Sequence, residues 1–155
     1  MDLAAIVRHM PYGSCPLPDV AGAGQLAPPH ITEAARAGVR TIIDLRAANE
    51  PRGFDEAKAV RAEGMEYVLI PVTPETLDDA VYDRFLAVLR DPAKRPVIVK
   101  CATANRVGAL LLPYLLLDEK LPEPRALEEA QRIGLRNPQY AAMGVDYARR
   151  HAAKG

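Results

Sequence analysis

The sequence predicts an α/β domain in which a mostly parallel sheet of four to five strands is flanked by helices. Short apolar runs rich in β-branched residues alternate with longer segments of helical periodicity, as in a parallel sheet with helical crossovers. The runs are apolar throughout rather than at alternate positions, which is typical of strands buried on both faces. A chain of 155 residues, of which 49% are hydrophobic, is long enough to form one such core.

The first segment, residues 1–19, is predicted to be an irregular arm. Gly13 and Pro16 interrupt regular structure there, because proline lacks an amide proton and glycine is conformationally free. Residues 20–155 are predicted to form the domain, and residues 137–155 are predicted to form its C-terminal helix.

The strands are predicted from four apolar runs. They are residues 20–23, 39–45 (VRTIIDL), 67–72 (YVLIPV) and 96–100 (PVIVK). Because crossovers between parallel strands are right-handed, the loops that follow the strands meet at one edge of the sheet, where ligands bind in this class of fold. The loops expected there are residues 47–54, 73–76 and 101–105.

Six helices are predicted between and after the strands. They cover residues 29–37, 55–63, 76–90, 106–117, 123–133 and 138–151. Gly38 and Gly64 end the first two, because glycine readily adopts the left-handed conformation that closes a helix. Thr76 and Asp79 have nearly the spacing of a capping box and are expected to begin the third.

The last helix is expected to lie on the outside of the domain. Tyr140, Met143 and Tyr147 recur at helical spacing and form one face of it. This face is interpreted as packing on the domain, with a contact between two copies of the chain as the alternative.

Charge and hydropathy argue against several classes of partner. Lys and Arg together number 20, as do Asp and Glu, whereas proteins that bind nucleic acid or anionic membranes usually have a basic excess. The longest uncharged apolar stretch, residues 107–117, is too short to span a bilayer. With no signal-peptide pattern and two cysteines, a cytoplasmic protein with reduced thiols is expected.

The residue inventory also excludes common catalytic centres. His9, His30 and His151 are far apart in the sequence, and none has a metal-ligand spacing to Cys, Asp or Glu. Neither a G-x-x-x-x-G-K-[ST] motif nor a serine-hydrolase G-x-S-x-G motif occurs. We therefore expect neither a metal nor another cofactor.

The candidate for chemistry is Cys101, which directly follows the last strand and precedes a helix that opens at Arg106. A thiol at a helix N-terminus faces the positive end of the helix dipole, and Arg106 and Lys100 add positive charge that favours the nucleophilic thiolate. The same amides and guanidinium can bind an anion and the charge of a transition state. The pattern predicts a cysteine nucleophile in an anion cradle, whereas Cys15 lacks such surroundings and is interpreted as structural.

Other groups at this sheet edge are candidates for substrate binding. They are Ala102, Thr103, Ala104 and Asn105 of the loop, together with Arg46 and Lys100. Arg46 ends a strand and could point at the anion or pair with Asp44 or Glu50. Asn105 is also expected to fix the loop backbone, since asparagine tolerates turn geometry.

The segment KCATANRVGAL, residues 100–110, resembles the loop of the phosphatase-like domain of β-lactamase hydrolase-like proteins. This family is a bacterial branch of the cysteine phosphatase superfamily, which includes tyrosine and dual-specificity phosphatases. The segment AGVRTIIDLR, residues 37–46, and Tyr67 with the following IPV stand upstream in the family's order. The resemblance implies a phosphatase-like fold, a nucleophile at Cys101, and an oxyanion site made by Arg106 and the backbone amides of the loop.

The loop also departs from that superfamily. Four residues separate Cys101 from Arg106, one fewer than in the cysteine phosphatases and as in rhodanese-type sulfurtransferases. Lys100 replaces the usual histidine, and Ala104 replaces a glycine, which disfavours a left-handed backbone there. Asp78 and Asp79 are the nearest candidates for the general acid, although both could instead serve the first turn of a helix.

Three functions follow from these residues. The first is hydrolysis of a phosphomonoester, such as phosphotyrosine or a small phosphate ester, through a cysteinyl-phosphate on Cys101. The second is sulfur transfer through a Cys101 persulfide, which suits the short loop and needs no strong acid. The third is a non-catalytic module that binds an anion or a partner. The expected partner is a small anionic substrate or a phosphoprotein, and the oligomeric state is not predicted.

Overall fold

A computed structural model of the chain describes residues 2–152 and confirms the α/β class. Its strands are β1 (Ser14–Leu17), β2 (Val20–Ala23), β3 (Thr41–Asp44), β4 (Glu66–Leu69) and β5 (Val97–Lys100). Its helices are α1 (Leu3–Val7), α2 (Pro28–Arg36), α3 (Glu56–Ala62), α4 (Asp79–Leu89), α5 (Asn105–Leu117), α6 (Glu123–Ile133) and α7 (Pro138–Ala152), with a short 3₁₀ turn at Pro92–Lys94. The strand order is β1-β2-β5-β3-β4, in which β1 is antiparallel to β2 and the other neighbours are parallel.

The expectation of an irregular arm before the domain is wrong. Helix α1 and strand β1 both lie in this segment, and β1 pairs with β2 at the edge of the sheet. Pro16 is compatible with β1 because this strand has a neighbour on one side only, so its missing amide proton need not interrupt the ladder. Cys15 is half-buried in β1, and its Sγ donates to the carbonyl oxygen of Leu17 at 3.0 Å. Met1 lies outside the described residues.

Helix α4 begins later than the sequence predicts. The hydroxyl oxygen of Thr76 accepts a hydrogen bond from the amide of Thr73 at 3.0 Å, so these two threonines close a turn before the helix. The carboxylate of Asp78 accepts from the amide of Val81 at 3.0 Å and is the N-cap. The spacing of Thr76 and Asp79 therefore does not form the predicted capping box.

The sheet separates two apolar layers. Side chains alternate along β5, so Val97 and Val99 face the layer of α4 to α7, while Ile98 faces the layer of α1 to α3. Helix α5 fills the centre of the first layer, and every residue from Val107 to Leu115 is buried. It is apolar on all sides, as expected of a helix covered by its neighbours. Among residues 2–152, no helix has an apolar stretch long enough to cross a bilayer.

Helix α7 packs along α5 and closes this layer. Tyr140 and Tyr147 are buried, and Met143 is half-buried against the same core. The predicted packing of this face on the domain is thus confirmed. The last part of the predicted C-terminal helix, residues 153–155, lies outside the described residues.

Gly134, at the end of α6, allows the close approach of α6 to the loop before α5. Its φ is +149°, and an added Cβ would lie 2.7 Å from the carbonyl oxygen of Ala104. We expect Gly134→Ala to lower the free energy of unfolding by about 2–4 kcal/mol, through backbone strain and steric overlap. Gly38→Ala is the control, because Gly38 has a φ of +88° but its Cβ would meet no neighbour, so about 1 kcal/mol is expected. Urea denaturation measures both, and equal losses would contradict the steric explanation.

Candidate active site

The loop between β5 and α5, residues 101–104 and called the cysteine loop below, places Cys101 just before the N-terminus of α5. Cys101 is 1% exposed. Among the described residues 2–152, the amides of residues 102–107 donate to no protein acceptor. Free amides at a helix N-terminus form a binding site for anions. The structure therefore brings the buried sulfur of Cys101 and an unsatisfied row of donors together.

Ala104 has the left-handed backbone that its side chain disfavours, with a φ of 67°. The loop thus adopts a left-handed backbone at this position although the replacement of glycine by alanine disfavours it. The carbonyl oxygen of Ala104 accepts from the amide of Gly108 at 3.1 Å, so the left-handed turn is the point at which α5 starts. Gly134 leaves room for Ala104 on the other side, which explains how the conformation is accommodated.

Arg106 lies beside Cys101 and is oriented by Glu50. Its Nη1 and Nη2 donate to the two carboxylate oxygens of Glu50 at 2.7 and 2.9 Å, and Nη1 also donates to the carbonyl oxygen of Val72 at 3.4 Å. The hydrogen bond to Glu50 and the charge of Cys101 raise the pKa of Arg106, against the effect of burial. A bidentate pair of this kind fixes the plane of the guanidinium, so Arg106 is held in one orientation next to the sulfur.

Glu50 is a site residue that the sequence does not assign to Arg106. Its hydrogen bond with Arg106 lowers the pKa of its carboxyl group, so the carboxylate is charged at neutral pH. Arg52 organises the loop that contains Glu50: its guanidinium donates to the carbonyl oxygens of Ala47, Ala48 and Glu50 at 2.8–3.3 Å. The one signal in the sequence is that Glu50 belongs to a loop expected at this sheet edge.

Lys100 and Arg46 do not lie in the anion cradle, which corrects two predicted substrate contacts. Lys100 points to the opposite face of the sheet from Cys101, and its Nζ donates to both carboxylate oxygens of Glu56 at 2.9 and 3.0 Å. Arg46 pairs with Asp44 at 3.2 Å and with Glu56 at 3.3 Å. The reason is that consecutive residues of a strand face opposite ways, and a fully enclosed charge requires a counter-charge.

Asp44, Arg46, Glu56 and Lys100 form a buried ion cluster that joins β3, β5 and α3. Burial raises the pKa of Glu56 and lowers that of Lys100. Burial also opposes ionisation of Asp44, yet hydrogen bonds from Arg46 and the charge of Lys100 hold its pKa well below the usual range. Tyr67 donates to Asp44 at 2.6 Å. The cluster therefore links the end of β5, immediately before the cysteine loop, to β3 and α3.

The side chain of Asn105 supports the site rather than facing a substrate. Its Oδ1 accepts from the amides of Arg136 and Asn137 at 2.7 and 3.2 Å, which ties the start of α5 to the connection between α6 and α7. The predicted role of Asn105 in substrate binding is therefore restricted to its amide. Thr103 is exposed on the loop, and Ala102 is half-buried beside it.

Asp78 and Asp79 both have structural partners in the first turn of α4. The carboxylate of Asp78 caps the helix, and the two oxygens of Asp79 accept from Arg150 at 2.6 and 2.8 Å. The hydrogen bond from Arg150 lowers the pKa of Asp79. These contacts favour the structural interpretation of the two aspartates over the expected role as general acid. Elsewhere within residues 2–152, no group of His, Cys, Asp and Glu side chains is arranged to hold a metal ion.

Tyr140 of α7 is a further group that the sequence does not assign to the site. Tyr140 belongs to the same packed cluster as Cys101. Burial raises the pKa of its hydroxyl, and the charges that act on it are those of Arg106, Glu75, Cys101 and Glu50. Helical spacing predicts that Tyr140 is buried but cannot predict which loop its hydroxyl meets.

Removal of the Glu50 carboxylate tests its orienting role. Glu50→Gln replaces two charge-assisted hydrogen bonds by weaker ones, so Arg106 loses its fixed orientation. We expect the affinity for an oxyanion such as tungstate, measured by calorimetry, to fall about tenfold, which corresponds to about 1.4 kcal/mol. Glu75→Gln, which removes a carboxylate without a hydrogen bond to Arg106, is the control and is expected to leave the affinity within about twofold. Tighter binding by Glu50→Gln would mean that Glu50 mainly repels the anion.

Residues 15–111 match the family model described as the phosphatase-like domain of beta-lactamase hydrolase-like protein. This segment contains β1 to β5, the cysteine loop and the first half of α5. No curated protein sequence matches the chain.

Solved structures with the same fold cover nearly the whole chain. A DUF442 protein from Shewanella putrefaciens CN-32 is 21% identical, with a TM-score of 0.81 over 95% of this chain and 97% of that one. The core catalytic domain of the PP-IP phosphatase SIW14 from S. cerevisiae is 14% identical, with a TM-score of 0.74 over 94% and 93% of the two chains. TpbA from P. aeruginosa, in complex with phosphotyrosine, is 20% identical, with a TM-score of 0.69 over 91% and 88%. At these identities the likeness establishes the fold.

Proposed function

The chain belongs to the family of phosphatase-like domains of beta-lactamase hydrolase-like proteins, and from this premise we propose that it hydrolyses a phosphomonoester through a cysteinyl-phosphate on Cys101. The observation that supports this most strongly is the loop itself. One short segment contains a buried cysteine sulfur, a guanidinium oriented by Glu50, and the free amides of residues 102–107. Such a segment favours a tetrahedral oxyanion.

In the proposed reaction the thiolate of Cys101 attacks the phosphorus atom, and the bond between phosphorus and the leaving oxygen breaks. The leaving oxygen takes a proton and departs as an alcohol or phenol. A water molecule then attacks the cysteinyl-phosphate, forms inorganic phosphate, and returns the thiolate. Arg106 and the loop amides stabilise the equatorial oxygens in both steps, where negative charge develops.

The proposed substrate is a phosphomonoester, with phosphotyrosine and small phosphate esters as the two candidates. TpbA has been crystallised with phosphotyrosine, and SIW14 is a PP-IP phosphatase, so two structures of this fold are associated with different phosphorylated compounds. The proposed partner is accordingly a small anionic substrate or a phosphoprotein.

Sulfur transfer through a Cys101 persulfide is the second candidate. Two observations favour it: the loop is one residue shorter than in the cysteine phosphatases, and both Asp78 and Asp79 are held by structural partners. Sulfur transfer needs no strong acid, because the sulfur leaves from a thiosulfate or persulfide donor without protonation of an alkoxide.

Two assays on the same preparation distinguish these functions. The proposed phosphatase releases 4-nitrophenol from 4-nitrophenyl phosphate, is inhibited by vanadate, and does not gain a sulfur atom after brief exposure to thiosulfate. A gain of one sulfur on wild type, absent from Cys101→Ser, together with no ester hydrolysis, would favour sulfur transfer. A protein that binds tungstate but does neither reaction would be a non-catalytic binding module.

A further inference from the structure

The cysteine loop lacks a recognised general acid, since the two aspartates predicted for that role have other partners. We propose that the hydroxyl of Tyr140 protonates the leaving oxygen. This inference rests on the proposed phosphatase function and assigns the missing proton donor to a residue of α7.

The position of Tyr140 follows from how α7 is attached to the loop. Asn105, the first residue of α5, accepts hydrogen bonds from the amides of Arg136 and Asn137, immediately before α7 begins. Tyr140 lies in the first turn of that helix. It is 3% exposed and packs in the same cluster as Cys101. The start of α7 is thus tied to Asn105, which directly follows the loop that contains Cys101.

The hydroxyl of Tyr140 is a polar group without a protein partner. Among residues 2–152 it makes no hydrogen bond, yet it is not sealed from solvent as the unbonded hydroxyl of Tyr82 is. The charged groups that act on it come from the site, namely Arg106, Cys101, Glu50 and Glu75. A hydroxyl that has no protein partner and is accessible to solvent is free to donate to a bound group, and in this proposal that group is the substrate oxygen in the neighbouring cradle.

The chemistry of a phenol suits this role. Burial raises the pKa of Tyr140 while Arg106 lowers it, so the group keeps its proton at neutral pH, unlike an ordinary carboxylic acid. When the bond between phosphorus and the leaving oxygen breaks, that oxygen takes the phenolic proton. Water gives the proton back in the second step, as its oxygen attacks the cysteinyl-phosphate, so the enzyme returns to its starting state.

The test measures kcat/KM at pH 7 for two aryl esters. It compares wild type with the full-chain variants Tyr140→Phe, Tyr82→Phe and Glu75→Gln. Phenyl phosphate has a poor leaving group that needs a proton, whereas 4-nitrophenyl phosphate has a good one that hardly needs it. We expect Tyr140→Phe to lower kcat/KM about a hundredfold for phenyl phosphate and less than about fivefold for 4-nitrophenyl phosphate. Tyr82→Phe, which removes a buried and unbonded hydroxyl elsewhere, is expected to change neither value.

Other outcomes overturn the inference in distinguishable ways. Equal losses for the two esters, or no loss, in a Tyr140→Phe protein that unfolds as wild type would overturn the acid role of Tyr140 and leave the phosphatase function standing. A loss confined to phenyl phosphate in Glu75→Gln, with Tyr140→Phe unaffected, would assign the acid to that carboxylate instead. Hydrolysis of neither ester by wild type would overturn the proposed function and this inference with it.

Discussion

Cys101→Ser is expected to abolish ester hydrolysis while leaving the anion site intact. The serine hydroxyl is a far weaker nucleophile than a thiolate, so kcat/KM for 4-nitrophenyl phosphate should fall by at least about a thousandfold. Arg106 and the amides of residues 102–107 remain in place, so the affinity for tungstate should stay within about fivefold. Steady-state kinetics and calorimetry on the same preparation measure the two effects.

The matched control for this prediction is Cys15→Ser. Cys15 lies half-buried in β1 on the edge of the sheet, with its Sγ bonded to the carbonyl of Leu17 rather than to any group of the site. This variant should retain the activity of wild type. Residual hydrolysis by Cys101→Ser within about tenfold of wild type would contradict nucleophilic catalysis by Cys101.

Lys100→Met is expected to cause the largest loss of stability. The ammonium of Lys100 is fully buried and is bonded to Glu56, so its removal leaves a buried carboxylate with less compensation. Breaking one side of a buried ion pair typically costs about 3–5 kcal/mol, and we expect a decrease of that size in the free energy of unfolding measured with urea. The loss arises although Lys100 makes no contact in the anion cradle.

A second variant separates charge imbalance from loss of packing. In Lys100→Met with Glu56→Leu both members of the pair become apolar, while Asp44 keeps Arg46 and Arg52 as partners. This double variant should be more stable than Lys100→Met alone. Lys94→Met, which removes an exposed partner of Glu66, should leave the urea midpoint unchanged. A double variant that is less stable than both single ones would contradict the explanation.

The parts of the site that lie within one loop are predictable from the sequence. Cys101 and Arg106 are joined by a short segment between a strand and a helix, so local structure alone brings them together. The position of Lys100 is also contained in the sequence, because strand alternation places it on the opposite face from its neighbour Cys101. The positive charge of Lys100 alone would favour a place in the anion site, but its side chain is instead buried and paired with Glu56.

Contacts between distant segments are not predictable in this way. Glu50 and Arg106 are 56 residues apart, and nothing local to either specifies the other. The same holds for Tyr140, whose helical spacing indicates burial without identifying its neighbours. Strand β1 is missed for a different reason: Gly13 and Pro16 resemble loop residues, and the edge position that makes Pro16 acceptable is a property of the whole sheet.

Nucleophilic catalysis by Cys101 is tested most directly by trapping the covalent intermediate. Wild type is mixed with 4-nitrophenyl phosphate, quenched in acid during turnover, digested and analysed by mass spectrometry. Nucleophilic catalysis by Cys101 predicts one phosphoryl group on the peptide that contains Cys101, and none after the same treatment of Cys101→Ser. Turnover without a phosphoryl group on this peptide at any quench time, or with the group on another residue, would contradict it.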